Sequence, residues 1–103
     1  MNFEEMISAL TPHREEVSIK GFKFYARPMT VQEFGEFFYA GKSEKDRNDL
    51  MILNCIQNEA GEKVFTDIEQ ISKLYTTVRS QLAHAVTKAS ILSDESPDET
   101  EKN

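Results

Sequence analysis

Residues 17–39 read VSIKGFKFYARPMTVQEFGEFFY, and this stretch decides the fold of the chain. Its first part alternates apolar and polar side chains on both sides of Gly21. This pattern is typical of two β-strands joined by a tight turn, because glycine readily adopts the positive φ that such a turn needs. Pro28 ends the second strand. A lone two-stranded hairpin is marginal in water, so we predict a β-hairpin over residues 17–29 that lies on helices.

The second part of the stretch predicts a helix that begins after Thr30. Threonine favours the N-cap position, and Glu33 stands three residues on, as in a capping box. The apolar residues at helical spacing that form its expected buried stripe are Val31, Phe34 and Phe38. Phe37 and Tyr39 flank this stripe on opposite sides, so the apolar arc is wider than one core contact needs. We expect the helix to end at Gly41, which suits a C′ position.

The remaining chain is predicted to be mostly helical. Polar caps and apolar spacing indicate helices over residues 2–10, 43–56, 66–74 and 77–92, with N-caps at Asn2, Ser43, Thr66 and Thr77. The apolar run at 50–56 also fits a buried strand, but its polar lead-in is rich in helix formers, which favours a helix. The sequence therefore predicts an α+β fold, mainly α: a small helical domain with one N-terminal β-hairpin.

Length and charge divide the chain into one folded domain and a tail. The 103 residues suit a single domain, which we place at residues 1–92. Residues 93–103 contain no apolar side chain. They hold five of the 18 acidic residues and one of the 12 basic ones, so they carry −4 of the net charge of −6. We predict a disordered acidic tail there, because such a segment buries too little surface to offset its ordering entropy.

Composition also bears on location and on partners. The body is close to neutral and shows no basic patch, which argues against a nucleic-acid partner. No apolar run approaches the ~18–20 residues that span a bilayer, and the N-terminus lacks the basic and apolar regions of a signal peptide. The single cysteine cannot form an internal disulfide. We therefore predict a cytoplasmic protein that contacts no membrane.

No sequence motif predicts catalysis. The chain has no phosphate-binding loop, zinc-protease helix or nucleophile elbow. His13 and His84 lie far apart and lack the neighbours of a metal-ligand set. Cys55 stands in the most apolar stretch, which favours a buried and inert thiol. We predict a non-enzymatic protein, with no catalytic residue, no metal and no cofactor.

The aromatic residues point to a binding role instead. The chain has seven phenylalanines and three tyrosines. Four large side chains are hard to place together on the inner faces of the predicted elements: Tyr25, Phe37, Tyr39 and Ile91. Surplus apolar surface on a small protein usually marks a contact with a partner, so we predict these four as partner-contact residues. The same surplus predicts self-association.

Two segments carry a resemblance to a known family. They read FKFYARPMTVQEFGEF at residues 22–37 and CIQNEAGEKVFTDIEQISKL at residues 55–74. In the first, a strand ends in Arg27-Pro28 before a Thr-capped helix. In the second, an acidic turn at Gly61 leads into Phe-Thr-Asp and a short helix. In this order, over roughly residues 17–92, the chain resembles the tail assembly chaperones of long-tailed, siphovirus-type bacteriophages.

The resemblance implies a role in viral morphogenesis. Such chaperones bind the tape measure protein, keep it soluble and help major tail tube subunits to polymerise around it. They act in the cytoplasm of the bacterial host and are absent from the mature virion, and many are made in two lengths by ribosomal frameshifting. The alternative is a small acidic regulatory adaptor or an antitoxin-like inhibitor, whose tail would bind a basic partner.

Overall fold

The computed structural model of the chain describes residues 2–11 and 13–91, so the predicted acidic tail lies outside the described residues. The described elements are, in chain order, α1 (Phe3–Leu10), β1 (Glu15–Ile19), β2 (Phe22–Ala26), α2 (Val31–Phe38), α3 (Glu44–Cys55), β3 (Ile56–Gln57), α4 (Ile68–Ser72) and α5 (Thr76–Ser90). The strands form one antiparallel sheet in the order β1-β2-β3. The predicted fold class, α+β and mainly α, is confirmed.

β1 and β2 form the predicted hairpin. Ile19 lies opposite Phe22 at its closed end, and the strand pairing begins at Glu15, two residues earlier than predicted. Lys20 and Gly21 make the turn, with φ of 50° and 89°. Positive φ at both central positions defines a type I′ turn, whose twist matches the twist of the strands. The turn therefore sets the register of the hairpin.

A third strand, which the sequence pattern does not predict, joins the hairpin. Ala26 of β2 pairs with Ile56, the residue that directly follows the last residue of α3. The backbone becomes extended at Ile56, with φ of −86° and ψ of 125°. The apolar run at 50–56 is therefore a helix as far as Cys55 and a strand from Ile56. The helix interpretation is confirmed for all but its last residue.

The core lies between the sheet and helices α3 and α5. The largest side chains that the two helices bury completely are Met51, Ile52 and Cys55 from α3 and Leu82 and Val86 from α5. Ala26 and Ile56 contribute from the sheet. This arrangement confirms the prediction that the helix containing residues 50–55 is central and buried.

Asp49 is the one charged side chain that is buried among the described residues. Its carboxylate accepts hydrogen bonds from Arg79 Nε at 2.8 Å and from Lys45 Nζ at 3.1 Å. Arg79 also donates to the carbonyl oxygen of Lys45 at 2.9 Å. The Asp49 carboxylate of α3 and the Arg79 guanidinium of α5 are therefore paired with each other. This cluster ties α3 to α5 and is structural.

The face that α2 buries differs from the predicted one. Phe37 is only 5% exposed and belongs to the core, whereas Val31 is 91% exposed. Phe34 and Phe38 are half-buried. Of the predicted stripe only Phe38 packs against the core, because α2 contacts α3 through its Phe37 side, and this rotation turns Val31 towards solvent. The helix also ends at Phe38, before the predicted Gly41.

The caps are confirmed in part. Thr30 and Glu33 form the predicted capping box, and Asn2 and Ser43 cap α1 and α3 as predicted. At α4 the prediction is one residue early, since Asp67 is the N-cap. The N-cap of α5 is not the predicted Thr77: it is Tyr75, which makes no side-chain capping bond.

Candidate protein-binding surface

Helix α1 presents an uncovered apolar face. Four residues at helical spacing share this face: Phe3, Met6, Ile7 and Leu10. Phe3 is 69% and Leu10 is 70% exposed, and no residue of α1 is buried. We call these four residues the α1 face. Glu5 lies on the opposite side of the helix and Glu4 flanks the apolar face, which makes α1 amphipathic with an acidic first turn.

Arg14 fixes the segment that joins α1 to the sheet. Its guanidinium donates hydrogen bonds to Gln57 Oε1 at 3.2 Å, to the Asn58 carbonyl at 3.0 Å and to the Glu59 carbonyl at 3.1 Å. It also lies over the ring of Tyr25, 4.6 Å from the ring centroid, a favourable cation–π geometry. The attachment point of α1 is therefore held on the outer face of the sheet.

A second apolar surface lies where α2 begins and α5 ends. We call it the α2–α5 groove; it has a volume of about 370 Å³ and is lined by Met29, Val31, Phe34, Ser90 and Ile91. Ser90 Oγ accepts a hydrogen bond from the Met29 backbone N–H at 2.9 Å, which joins the two walls. Val31 and Ile91 are both exposed. The groove is thus apolar and open to solvent.

An aromatic cluster extends the groove along α2. Phe34 stacks on Phe38 with ring centroids 4.5 Å apart, and Tyr39 meets Phe34 edge-on at 5.6 Å. Arg47 of α3 covers the ring of Phe38 at 4.8 Å. Tyr39 remains exposed. Aromatic side chains with one free face are common anchors in protein interfaces.

The groove and the attachment point of α1 lie at the same end of the molecule. Glu15, the first residue of β1, pairs with Ala26, the last residue of β2. At that end Lys88 Nζ of α5 contacts Glu15 at 3.2 Å. Two apolar surfaces are therefore available where α1 enters the sheet.

An ion pair holds the start of α2 against the sheet. Arg27 donates two hydrogen bonds to the carboxylate of Glu33, at 2.9 and 2.7 Å. These bonds are the main reason why the pKa of Glu33 is lowered and the pKa of Arg27 is raised. Burial raises the pKa of the nearby Cys55 thiol to about 11. This thiol stays protonated near neutral pH, as expected for an inert core cysteine.

The structure separates the four predicted contact residues. Phe37 is in the core, so the prediction that it lies on a contact surface is wrong. Tyr39 and Ile91 are exposed, and both lie next to Phe34 at the α2–α5 groove. Tyr25 lies apart from them, half-buried under Arg14. Contact with a partner remains a prediction for these three.

Sequence reasoning missed several exposed apolar residues of the two surfaces. Val31 is predicted to lie in the buried stripe of its helix but is 91% exposed, and Phe3 and Leu10 are not predicted as contact residues. The helical spacing of the α1 face was visible in the sequence, but spacing shows only that a face is apolar. Whether another element covers that face depends on tertiary packing, which leaves no local signal.

In residues 2–11 and 13–91, no group of three or more histidine, cysteine or acidic side chains is arranged to hold a metal ion. Among the described helices, none has the length and apolar character needed to cross a membrane.

Comparison of the chain with models of protein families, with curated proteins and with solved structures finds no match.

Proposed function

We propose that this protein is a tail assembly chaperone of a long-tailed bacteriophage. In this role it binds the tape measure protein, keeps it soluble and helps to recruit tail tube subunits, in the cytoplasm of the bacterial host and without entering the virion. The observation that carries the proposal is the pair of uncovered apolar surfaces, the α1 face and the α2–α5 groove. The resemblance over residues 22–37 and 55–74 supports it.

The physical basis is the covering of an amphipathic helix. A tape measure protein is a long and largely helical chain, and such a chain aggregates when its apolar stripe is exposed. Apolar grooves and helix faces bind amphipathic helices through a few large anchors. Each large side chain that leaves water contributes about 1.5–3 kcal/mol. Phe3, Leu10, Val31 and Ile91 are exposed large side chains that can act as such anchors.

Co-expression with a candidate tape measure protein, which the resemblance implies is encoded just downstream, tests the proposal. We expect the long protein to become soluble and to co-purify with this chain. The double substitution Phe3→Ser/Leu10→Ser should reduce co-purification at least tenfold, since both side chains are exposed and their loss barely affects folding. A tape measure protein that precipitates equally with and without the chain contradicts the proposal.

Phe22→Ser is the matched control. Phe22 is 71% exposed, like Phe3, but it lies beside the hairpin turn at the opposite end of the strands. Its substitution should leave co-purification unchanged. Deletion of residues 93–103 distinguishes the chaperone from the alternative, an adaptor whose acidic tail binds a basic partner. The adaptor loses its salt-sensitive binding on deletion, whereas the chaperone retains most of its binding.

A further inference from the structure

The two edges of the sheet differ in what covers them. Beyond β3 the chain returns, so that Gln57 forms a bridge with Lys63 and the Asn58 N–H donates to the Glu62 carbonyl at 2.8 Å. We call this the closed edge. At β1, within residues 2–11 and 13–91, no backbone hydrogen bond joins another segment to the outer side of the strand. We call this the open edge.

Glu16 and Ser18 direct their backbone groups towards the open edge. Ile19 and Phe22 close a two-residue turn, so they form a hydrogen-bonded pair. Hydrogen-bonded and non-hydrogen-bonded pairs alternate along an antiparallel ladder. The N–H and C=O groups of Val17 therefore point to β2, and those of Glu16 and Ser18 point away from it. Such a row of unpaired groups is a template for another strand.

A pocket lies on the inner side of the open edge. Its volume is about 270 Å³, and it is lined by Glu15 and Val17 of β1 and by Gln81, His84, Ala85 and Lys88 of α5. An apolar cavity of about 150 Å³ already holds a benzene molecule. The pocket therefore has room for the inward-facing aliphatic side chains of an added strand.

We propose that the open edge pairs with the open edge of a second copy of this chain. The two β1 strands run antiparallel about a two-fold axis, with Val17 opposite Val17 of the second copy. The described sheets of the two copies then form one six-stranded sheet. This inference does not rest on the chaperone proposal.

The register of this pairing is self-complementary. Glu16 of each copy lies opposite Ser18 of the other, so that the two pairs exchange four N–H···O bonds. Lys23, the neighbour of Ser18 on β2, then stands near the incoming Glu16; within one copy it already contacts Glu16 at 3.8 Å. Val17 and Ile19 of each copy face the pocket of the other. The backbone groups, the two Val17 side chains and the Glu16–Lys23 charges are matched, whereas Glu15 of each copy lies opposite Ile19 of the other.

Two other registers would also use the outward-pointing backbone groups of β1, and both are energetically less favourable. A pairing centred on Glu16 places two carboxylates directly opposite each other, which is destabilising. A pairing centred on Ser18 requires Lys20 to extend the strand, but the turn holds Lys20 at a φ of 50°. The register centred on Val17 pairs all five residues of β1.

Cysteine cross-linking tests the register. In the proposed dimer, Val17 of one copy and Val17 of the other form a non-hydrogen-bonded pair across the two-fold axis. Their Cα atoms are then about 4.5 Å apart, a distance that suits a disulfide. We expect Val17→Cys to form a covalent dimer under oxidised glutathione at least tenfold faster than Ser18→Cys, the adjacent control on the same strand. Equal rates, or faster reaction of Ser18→Cys, overturn the register. The buried Cys55 is common to both variants.

Sedimentation equilibrium tests the pairing itself. We expect a concentration-dependent dimer of the full chain. Ser18→Pro removes an outward N–H from each copy, and with it two of the four bonds, so the dissociation constant should rise roughly tenfold or more. Ser18→Thr keeps the N–H and should dimerise normally, and circular dichroism checks that each variant is folded. A chain that stays monomeric at millimolar concentration, or a folded Ser18→Pro variant that dimerises as tightly as wild type, overturns the proposal.

Discussion

The closed edge of the sheet is formed by the short strand β3, whereas the open edge is formed by β1, a strand of five residues. β3 has only two residues, yet the returning chain, the Asn58–Glu62 bonds and the side chain of Arg14 all cover it. β1 pairs on one side alone. The edge that contributes less to the sheet is the protected one. This difference indicates that the closed edge supports stability, while the open edge is available for binding.

The comparison is tested most strongly by truncating one isoleucine at each edge. Ile56 at the closed edge is fully buried, and Ile56→Ala should lower the free energy of unfolding by about 2–5 kcal/mol. Ile19 at the open edge is half-buried, so Ile19→Ala should cost about 1 kcal/mol. Urea unfolding measures both. Equal losses would mean that the two edges contribute alike to stability.

Glycine substitution addresses the turns next to each edge. Gly61 lies in the turn that brings the chain back along the closed edge and has a φ of 90°. Gly21 in the hairpin turn has a φ of 89°. A Cβ added at either glycine meets no atom within 4 Å. The cost of alanine is therefore conformational, about 1–2 kcal/mol at each position. Asparagine, which tolerates this backbone region, should cost less at both, and a larger loss with asparagine would contradict the conformational explanation.

Arg14 sharpens the comparison because, of the two edges, its side chain contacts only the closed one. Arg14→Ala removes its hydrogen bonds to Gln57, Asn58 and Glu59 and its contact with Tyr25. We expect a loss of about 1 kcal/mol, which lowers Tm by about 4–8 °C in a domain of this size. Arg14→Lys should recover little, since an ammonium group cannot replace a forked donor. Full recovery with lysine would show that charge alone matters.

The smallest expected effect depends on pH. Arg27 leaves the sheet beside β3, where its N–H donates to the Cys55 carbonyl at 2.9 Å, and its side chain pairs with Glu33. Because the pKa of Glu33 is lowered on folding, its contribution is present above the ordinary glutamate pKa of about 4.3 and is lost as pH falls through the folded value.

Glu33→Gln should therefore cost less than about 1 kcal/mol at pH 7, given the partial exposure of the pair. The difference from wild type should shrink as the pH is lowered below about 4. Thermal unfolding at several pH values measures it. A difference that stays constant down to pH 2 would rule out an electrostatic origin.

Local chemistry made part of this fold predictable. The hairpin follows from the alternation around Gly21, and the capping box follows from Thr30 and Glu33. β3 was not predictable, because two residues have no periodicity and Ile56 continues an apolar helical run. The extended backbone at Ile56 accompanies its pairing with Ala26, thirty residues earlier in the chain.

The candidate surface was less predictable than the fold. Val31 and Phe37 are both apolar residues of one short helix, and only the position of α3 decides that Phe37 is buried and Val31 exposed. The exposure of Tyr39 and Ile91 agrees with the prediction that neither fits on the inner face of its element. Composition alone predicts surplus apolar surface, but only the packed structure shows where that surface lies.

The distance along the chain between paired strands has a consequence for the order of folding. The turn at Lys20 and Gly21 brings β1 and β2 together locally, whereas β3 joins only after thirty more residues have been ordered. Closing the longer loop costs more entropy, so we expect the hairpin to form before β3 joins it. In stopped-flow experiments, Gly21→Ala should slow folding, and Gly61→Ala should mainly accelerate unfolding; the reverse pattern would contradict this order. A chain emerging from the ribosome would then expose β1, the strand that we propose to pair with a second copy, before its protected edge exists, so that two nascent chains could meet during synthesis.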